Sequence, residues 1–253
     1  MIRREAEAFL GAVRFFTRIP VPAWVGHSAE GLNRSARYFP AVGLLIGALA
    51  ALVYLGAACL WPKPVAVLLS MAATIYATGA FHEDGLSDAT DGLGGGWDKL
   101  RILEIMKDSR VGSYGVVALV LALLGKFVLL CELPAEILPW ALLGGHALSR
   151  FASTTLLYAM DYVREDLQSK AKPLATRLSS GALVVAGVFA LAGLLGLPWQ
   201  TAAQGVALAA LATLWLARLF RRWLSGYTGD CLGATQQVAE LAFYLGVLAV
   251  WQR

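Results

Sequence analysis

Glu83, Asp84, Asp88 and Asp91 stand close together in a chain otherwise dominated by Ala, Leu, Val and Gly, directly after a long apolar run. If residues 82–91 are helical, Asp84, Asp88 and Asp91 fall at i, i+4 and i+7 and share a face. Three anions on one face repel each other unless a cation sits among them. Hard oxygen donors without sulfur nearby favour Mg²⁺, or Mn²⁺, over zinc. Mg²⁺ typically takes one or two carboxylates and completes its shell with water and substrate phosphates. Paired metals about 4 Å apart clamp the attacking and leaving oxygens of a phosphoryl transfer. The stretch therefore reads as a divalent-metal site, with Glu83, Asp84, Asp88, Asp91 and, further on, Asp108 as candidate ligands.

Other residues belong with it. Lys107-Asp108-Ser109-Arg110 opens the third apolar run, where Lys107 and Arg110 suit phosphate and Asp108 a further metal contact; helix capping is the structural alternative. Asp230, and Glu240 with Gln236 in the helix that follows, form a third group. Glu240 lies about two turns into an apolar run, where a lone glutamate normally has a partner. Arg150 lies inside another run, so a carboxylate or a substrate phosphate is expected beside it. His82 and His146 read as packing residues first, although His82 adjoins the acids. Arg18, in Phe16-Thr17-Arg18-Ile19-Pro20, is placed to fold back beneath them.

The elements that position these groups follow from composition. At 58% hydrophobic, 15% charged and a mean hydropathy of +0.64, the chain is too apolar for an ordinary soluble protein. A hydrocarbon core of roughly 30 Å needs about 20 apolar residues as a helix. Seven runs qualify or come near it: Pro40–Trp61, Pro64–Phe81, Val111–Cys131, Leu138–Tyr158, Ala182–Leu197, Thr201–Ala217 and Gly233–Trp251. None alternates as a barrel strand would. The expected fold is all-α: a polytopic membrane helical bundle of about seven transmembrane helices, in one domain over residues 1–253. An amphipathic helix within Ile2–Ile19 lies along the interface before it. The fifth and sixth runs, being short, are expected to stand upright or line the interior.

Of the 21 basic residues, 17 fall on one side of a seven-span topology. They include Arg3, Arg4, Arg14, Arg18, Arg34 and Arg37 before the first span, and Arg164, Lys170, Lys172 and Arg177 after the fourth. Positive-inside bias puts the N-terminus and the long loops in the cytoplasm and the C-terminus outside. The acidic catalytic segment, 83–110, is then cytoplasmic, with a flexible break expected at Gly92–Gly96 and a short amphipathic piece at Trp97–Lys107. Trp61, Trp140, Trp199, Trp223 and Trp251 sit near span ends, as an aromatic belt requires. Cys59, Cys131 and Cys231 lack metal spacing and read as small apolar fillers. Nothing points to nucleic acid, and a homo-oligomer is compatible with the sequence.

Taken together, FFTRIPVP (15–22), RYFPAVGLLIG (37–47), GAFHEDGLSDATDG (79–92), ILEIMKDSRVGSYG (102–115), SRF (149–151) and GDCLGATQQVAEL (229–241) carry a resemblance over essentially the whole chain. The sequence resembles the cobalamin-5′-phosphate synthase family, also called adenosylcobinamide-GDP ribazoletransferase. The family's HxDGLxDxxDG motif falls on His82, Asp84, Gly85, Leu86, Asp88, Asp91 and Gly92. The resemblance implies a Mg²⁺-dependent inner-membrane transferase that joins adenosylcobinamide-GDP to α-ribazole or its 5′-phosphate and releases GMP. It implies Asp84, Asp88, Asp91 and Asp108 at the catalytic centre, and His82, Lys107, Arg110, Arg150, Asp230, Glu240 and Arg18 around the substrates. A CDP-alcohol phosphotransferase is a rival, but its DGxxAR pattern is not met after Asp84-Gly85. A divalent-cation transporter would instead spread its acids through mid-membrane, where Glu240 is the main example.

Overall fold

Runs of Leu, Ala and Val with no polar side to present make helices that satisfy their own backbone and bury against one another. The structure, a computed structural model, describes residues 2–26, 28–163 and 178–251. Arg164, Lys170, Lys172 and Arg177 of the expected basic loop lie outside the described residues, as does Arg253.

All the helical elements follow in chain order. Helix α1 is Ile2–Phe16 and α2 is Ala29–Ser35; one 3₁₀ turn, Ala36–Tyr38, leads into α3, Phe39–Ala58. Then come α4, Lys63–Thr78; α5, Phe81–Gly95; α6, Lys99–Ile105; α7, Ser113–Glu132; and α8, Leu138–Ala159. Helices α9, Ser180–Ala192, α10, Trp199–Leu224, and α11, Gly229–Trp251, complete the chain. Among the described residues there is no strand, only an isolated bridge between Tyr162 and Tyr227. A short connection makes α3 and α4 packed antiparallel neighbours. Helix α11 is the hub, packing on α10, α5, α8 and α7, while α3 packs on α8 and α4. The molecule is an all-α membrane helical bundle.

Every one of the seven apolar runs is a helix, but they differ in how completely they suit hydrocarbon. Glu30–Ala58, Ser113–Glu132 and Trp199–Leu224 are long and apolar enough to cross a membrane, and so are α4 and α5 if that bent pair counts as one span. Helices α8 and α11 are as long, at 22 and 23 residues, but lack an unbroken apolar stretch of that kind. The reason is visible in what they bury: Ser149, Arg150 and Thr154 on one, Gln236, Gln237 and Glu240 on the other.

Three expectations are corrected. The sixth run is not short, because α10 extends over 26 residues from Trp199 to Leu224. Helix α9 is short, at 13 residues, but does not line the interior: Val184, Val188 and Leu191 face outward. Gly92–Gly95 is not a break, because α5 continues to Gly95 and only Gly96–Asp98 interrupts it. Beyond that interruption Asp98 caps α6 by accepting from the Arg101 amide, and Ile102 and Met106 are buried while Arg101 and Glu104 are exposed. Cys59, Cys131 and Cys231 are free thiols.

Helix α1 presents Ala8, Ala12, Val13 and Phe16 to the bundle and leaves Arg3 and Arg4 exposed. Phe16 stacks on His82 at 5.2 Å and meets Phe39 edge-on at 4.6 Å, so this amphipathic helix is stapled to the start of both α3 and α5.

Candidate functional site

The acidic helix α5 begins at a sharp elbow. Gly79, at φ 67°, ends α4, and Ala80 follows at φ 57°, a left-handed conformation that an alanine adopts only at a cost. The two left-handed residues turn the chain by 84° between α4 and α5. Arg18 lies against this elbow: its amide donates to the Ala77 carbonyl at 2.8 Å and its guanidinium sits 5.8 Å from the Tyr76 ring. It does fold back onto the chain just before the acids.

Helix α5 then crosses α11 with backbones nearly touching. A Cβ built on Gly85 would lie 3.1 Å from the Gly233 Cα and 3.2 Å from the Asp230 carbonyl. Only glycine on both helices permits this approach. Its consequence is to bring the first turn of α11, with Asp230, beside the first turns of α5. Thr228 receives the Cys231 amide at 3.3 Å and donates to Asp230 at 3.4 Å, which orders that turn.

The acids of α5 divide between two surroundings. Asp84 is exposed and Asp88 half-buried, one helical turn apart on one face. Asp91 shares that face but is buried, and its oxygens are engaged. Its Oδ2 accepts from the Gly112 amide at 2.7 Å and its Oδ1 from the Gly115 amide at 2.9 Å. Gly112 is the N-cap of α7 and has no side chain to cap with, so a carboxylate from another helix takes that part. Glu83 points inward instead, accepting from Gln237 at 3.1 Å; its other oxygen is buried without a partner among the described residues.

Asp108 and Arg110, read as metal and phosphate contacts, are joined to each other. The Arg110 guanidinium donates to both Asp108 oxygens, at 2.6 Å for the shortest contact. These hydrogen bonds pull the Asp108 carboxyl down to about 2. Both side chains, with Lys107, lie on the exposed loop between α6 and α7.

Among the described residues, no three His, Cys, Asp or Glu side chains form a ready metal-holding group. The donors that fit a hard cation are the exposed Asp84 and the half-buried Asp88, one turn apart on α5. Such a pair matches the one or two carboxylates Mg²⁺ takes when substrate phosphates supply the rest.

Glu240 is wholly buried and sits away from that open face. It pairs with Lys126 at 3.2 Å, accepts from Gln236 at 2.6 Å and from Tyr244 at 3.0 Å, and lies 3.7 Å from His146. Lys126 also donates to Gln237, which donates to Glu83, so one chain of contacts runs from the bundle centre to the base of α5. The sequence reading left Lys126 without a role. Its signal was available: two lone charges of opposite sign within apolar runs are expected to meet.

Arg150, 2% exposed, has no carboxylate within ion-pair distance among the described residues. It donates to the His146 carbonyl at 3.0 Å, its guanidinium lies 5.9 Å from the Phe16 ring, and its Nε has no partner. With Phe16, Phe81, His82 and Gly233 it lines a narrow cavity beside the α5–α11 crossing.

Comparison with known proteins places this architecture. The family model described as cobalamin-5-phosphate synthase matches residues 8–248. A protein of Shewanella amazonensis named adenosylcobinamide-GDP ribazoletransferase is 49% identical, covering 99% of this chain and 98% of its own. Proteins of the same name from a Polaromonas species and from Vibrio cholerae are 49% and 47% identical, covering 97% and 100% of this chain and 98% and 97% of theirs. No solved structure matches the chain. Matched over nearly its whole length, and carrying its acidic motif on one helix clamped by glycines to another, the chain belongs to the cobalamin-5-phosphate synthase family.

Proposed function

We propose that this chain is a membrane-bound transferase that joins adenosylcobinamide-GDP to α-ribazole or α-ribazole 5′-phosphate, with release of GMP. The support is full-length similarity to relatives bearing the ribazoletransferase name. One structural observation carries the reading to residues: the α5–α11 crossing at Gly85 and Gly233, which sets Asp230 beside the turns of α5 that carry Asp84 and Asp88.

Asp84 and Asp88 would hold Mg²⁺, which supplies charge neutralisation for the diphosphate. Asp91 serves the site by holding the start of α7 against α5. The ribazole hydroxyl must lose a proton as it attacks the phosphorus bearing the cobinamide arm. Asp84, Asp88 and Asp230 are the carboxylates near the open face, whereas Glu240 is committed to Lys126, Gln236 and Tyr244. Asp108 is neutralised by Arg110, so its part is to shape the loop that enters α7. We infer from the positive-inside bias of the sequence that the face carrying Asp84 and Asp88 looks toward the cytoplasm from the inner membrane.

Incubation with adenosylcobinamide-GDP, α-ribazole phosphate and Mg²⁺, with and without chelator, tests this directly. Stoichiometric GMP and cobamide formation, lost on chelation, is the expected result. Cobamide formation that persists in chelator removes the metal, and the absence of any GMP removes the transferase reading.

A further inference from the structure

A cavity of about 320 Å³ lies away from the acidic helix, between α1 and α2. That falls within the roughly 300–1,000 Å³ usual for small-molecule sites. Arg4, Arg14 and Arg34 line it, against one carboxylate, Glu7. Arg34 is paired with Glu30 at 2.8 Å, and Arg14 is steadied by donating to the Val25 carbonyl. Among the described residues, neither Arg4 nor Arg14 has a carboxylate within salt-bridge distance. Ser28 accepts from the Gly31 amide at 3.0 Å, which leaves its hydroxyl proton for an anion. The floor is apolar, formed by Ala8, Phe15 and Leu32.

From this lining we infer that the cavity binds a phosphate group, and that its occupant is the headgroup of an anionic phospholipid. Guanidinium groups match phosphate oxygens in geometry as well as charge. With Arg34 paired to Glu30, Arg4 and Arg14 face the single carboxylate of Glu7, and this net positive lining favours an anionic guest. The source follows from the setting. The cavity is cut into an amphipathic helix on a membrane bundle, and its apolar floor suits the glycerol and first methylenes of a lipid. Trp24 and Ile19 nearby stand exposed at 45% and 39%, and Arg3 lies 5.8 Å from the Trp24 ring, an arrangement suited to headgroup depth. Phe15 lines both this cavity and the narrow one beside Arg150, and Phe16 stacks on His82. A seated lipid thus holds α1 against the start of the acidic helix.

Native mass spectrometry of the full-length chain in a neutral detergent, titrated with phosphatidylglycerol or phosphatidylcholine, tests the site. Phosphatidylglycerol should bind at least tenfold more tightly. The double variant Arg4→Gln/Arg34→Gln should lose that preference, and Glu7→Gln should raise phosphatidylglycerol affinity severalfold, a gain no misfolded variant would show. Inorganic phosphate and α-ribazole 5′-phosphate, titrated without lipid, are the soluble arms. Saturable binding of either that the arginine variant abolishes, with no lipid preference, overturns the lipid source. Equal retention of both lipids by native and variant chains overturns the site. No arm measures turnover, so the result is independent of the transferase assignment.

Discussion

The carboxylates of α5 look alike in sequence, yet their surroundings assign them different work. Asp84 is exposed and Asp88 half-buried on one face of α5, and if they hold the metal, replacing either with Asn should lower GMP release at least about 100-fold while leaving the unfolding midpoint in detergent near that of the native chain. Asp91 should behave otherwise. Its two charge-assisted bonds to the Gly112 and Gly115 amides make Asp91→Asn destabilising by about 2 kcal/mol, measurable as a lowered melting transition. A variant with native stability and no activity would return Asp91 to the metal. Asp108 makes a separate prediction. Its carboxyl is depressed to about 2 by Arg110, so the pair's contribution is complete above the ordinary carboxylate value and is lost only as pH falls toward 2. The pH profile of Asp108→Asn between about pH 5 and pH 8 should therefore keep the native shape, whatever its amplitude.

At the scale of elements, the elbow and the crossing decide where the acids stand. The left-handed Ala80 stores roughly 1 kcal/mol of backbone strain at the entrance to α5. Ala80→Gly should raise thermal stability by about that amount, and a loss of stability would show that the alanine methyl is needed for packing instead. Gly85 allows the opposite test. A methyl group there would meet the Gly233 Cα at 3.1 Å, which forces α5 and α11 apart at a cost of about 2 kcal/mol. Because that shift separates Asp230 from Asp84 and Asp88, Gly85→Ala should lower turnover by more than its loss of stability accounts for. The fraction folded, measured beside the rate, separates the two effects.

Across the whole molecule, the bundle is held by a buried polar chain as well as by apolar packing. Lys126 on α7 and Glu240 on α11 face each other at 3.2 Å with 9% and 1% exposure. Removing one partner leaves the other charge buried alone, so Lys126→Met should cost about 3 kcal/mol. Lys126→Met combined with Glu240→Gln should recover part of that loss, because neither member of the pair is then left as a buried charge without its partner. If the double variant is as unstable as the sum of the single changes, the two residues do not depend on each other. The same chain of contacts explains why α8 and α11 can carry polar residues midway along their length: those residues look inward at one another, as Gln236 does in donating to Ser149.

How much of this was legible beforehand depends on the range of the interaction. The seven helices, the amphipathic first segment and the inward-facing Ile102 and Met106 follow from periodicity and composition along a single stretch, since hydrocarbon-length apolar runs have few other ways to satisfy their backbone. The motif from His82 to Gly92 likewise announced its helix and the shared face of Asp84, Asp88 and Asp91. What no single stretch contains is the identity of the helix on the other side. That Asp91 caps α7, that Lys126 answers Glu240, that Arg150 rests on a carbonyl and an aromatic ring, and that three arginines of α1 and α2 close around one cavity are decided only when distant segments meet. Spacing along a helix sets which face a side chain occupies, and tertiary packing alone sets what that face finds.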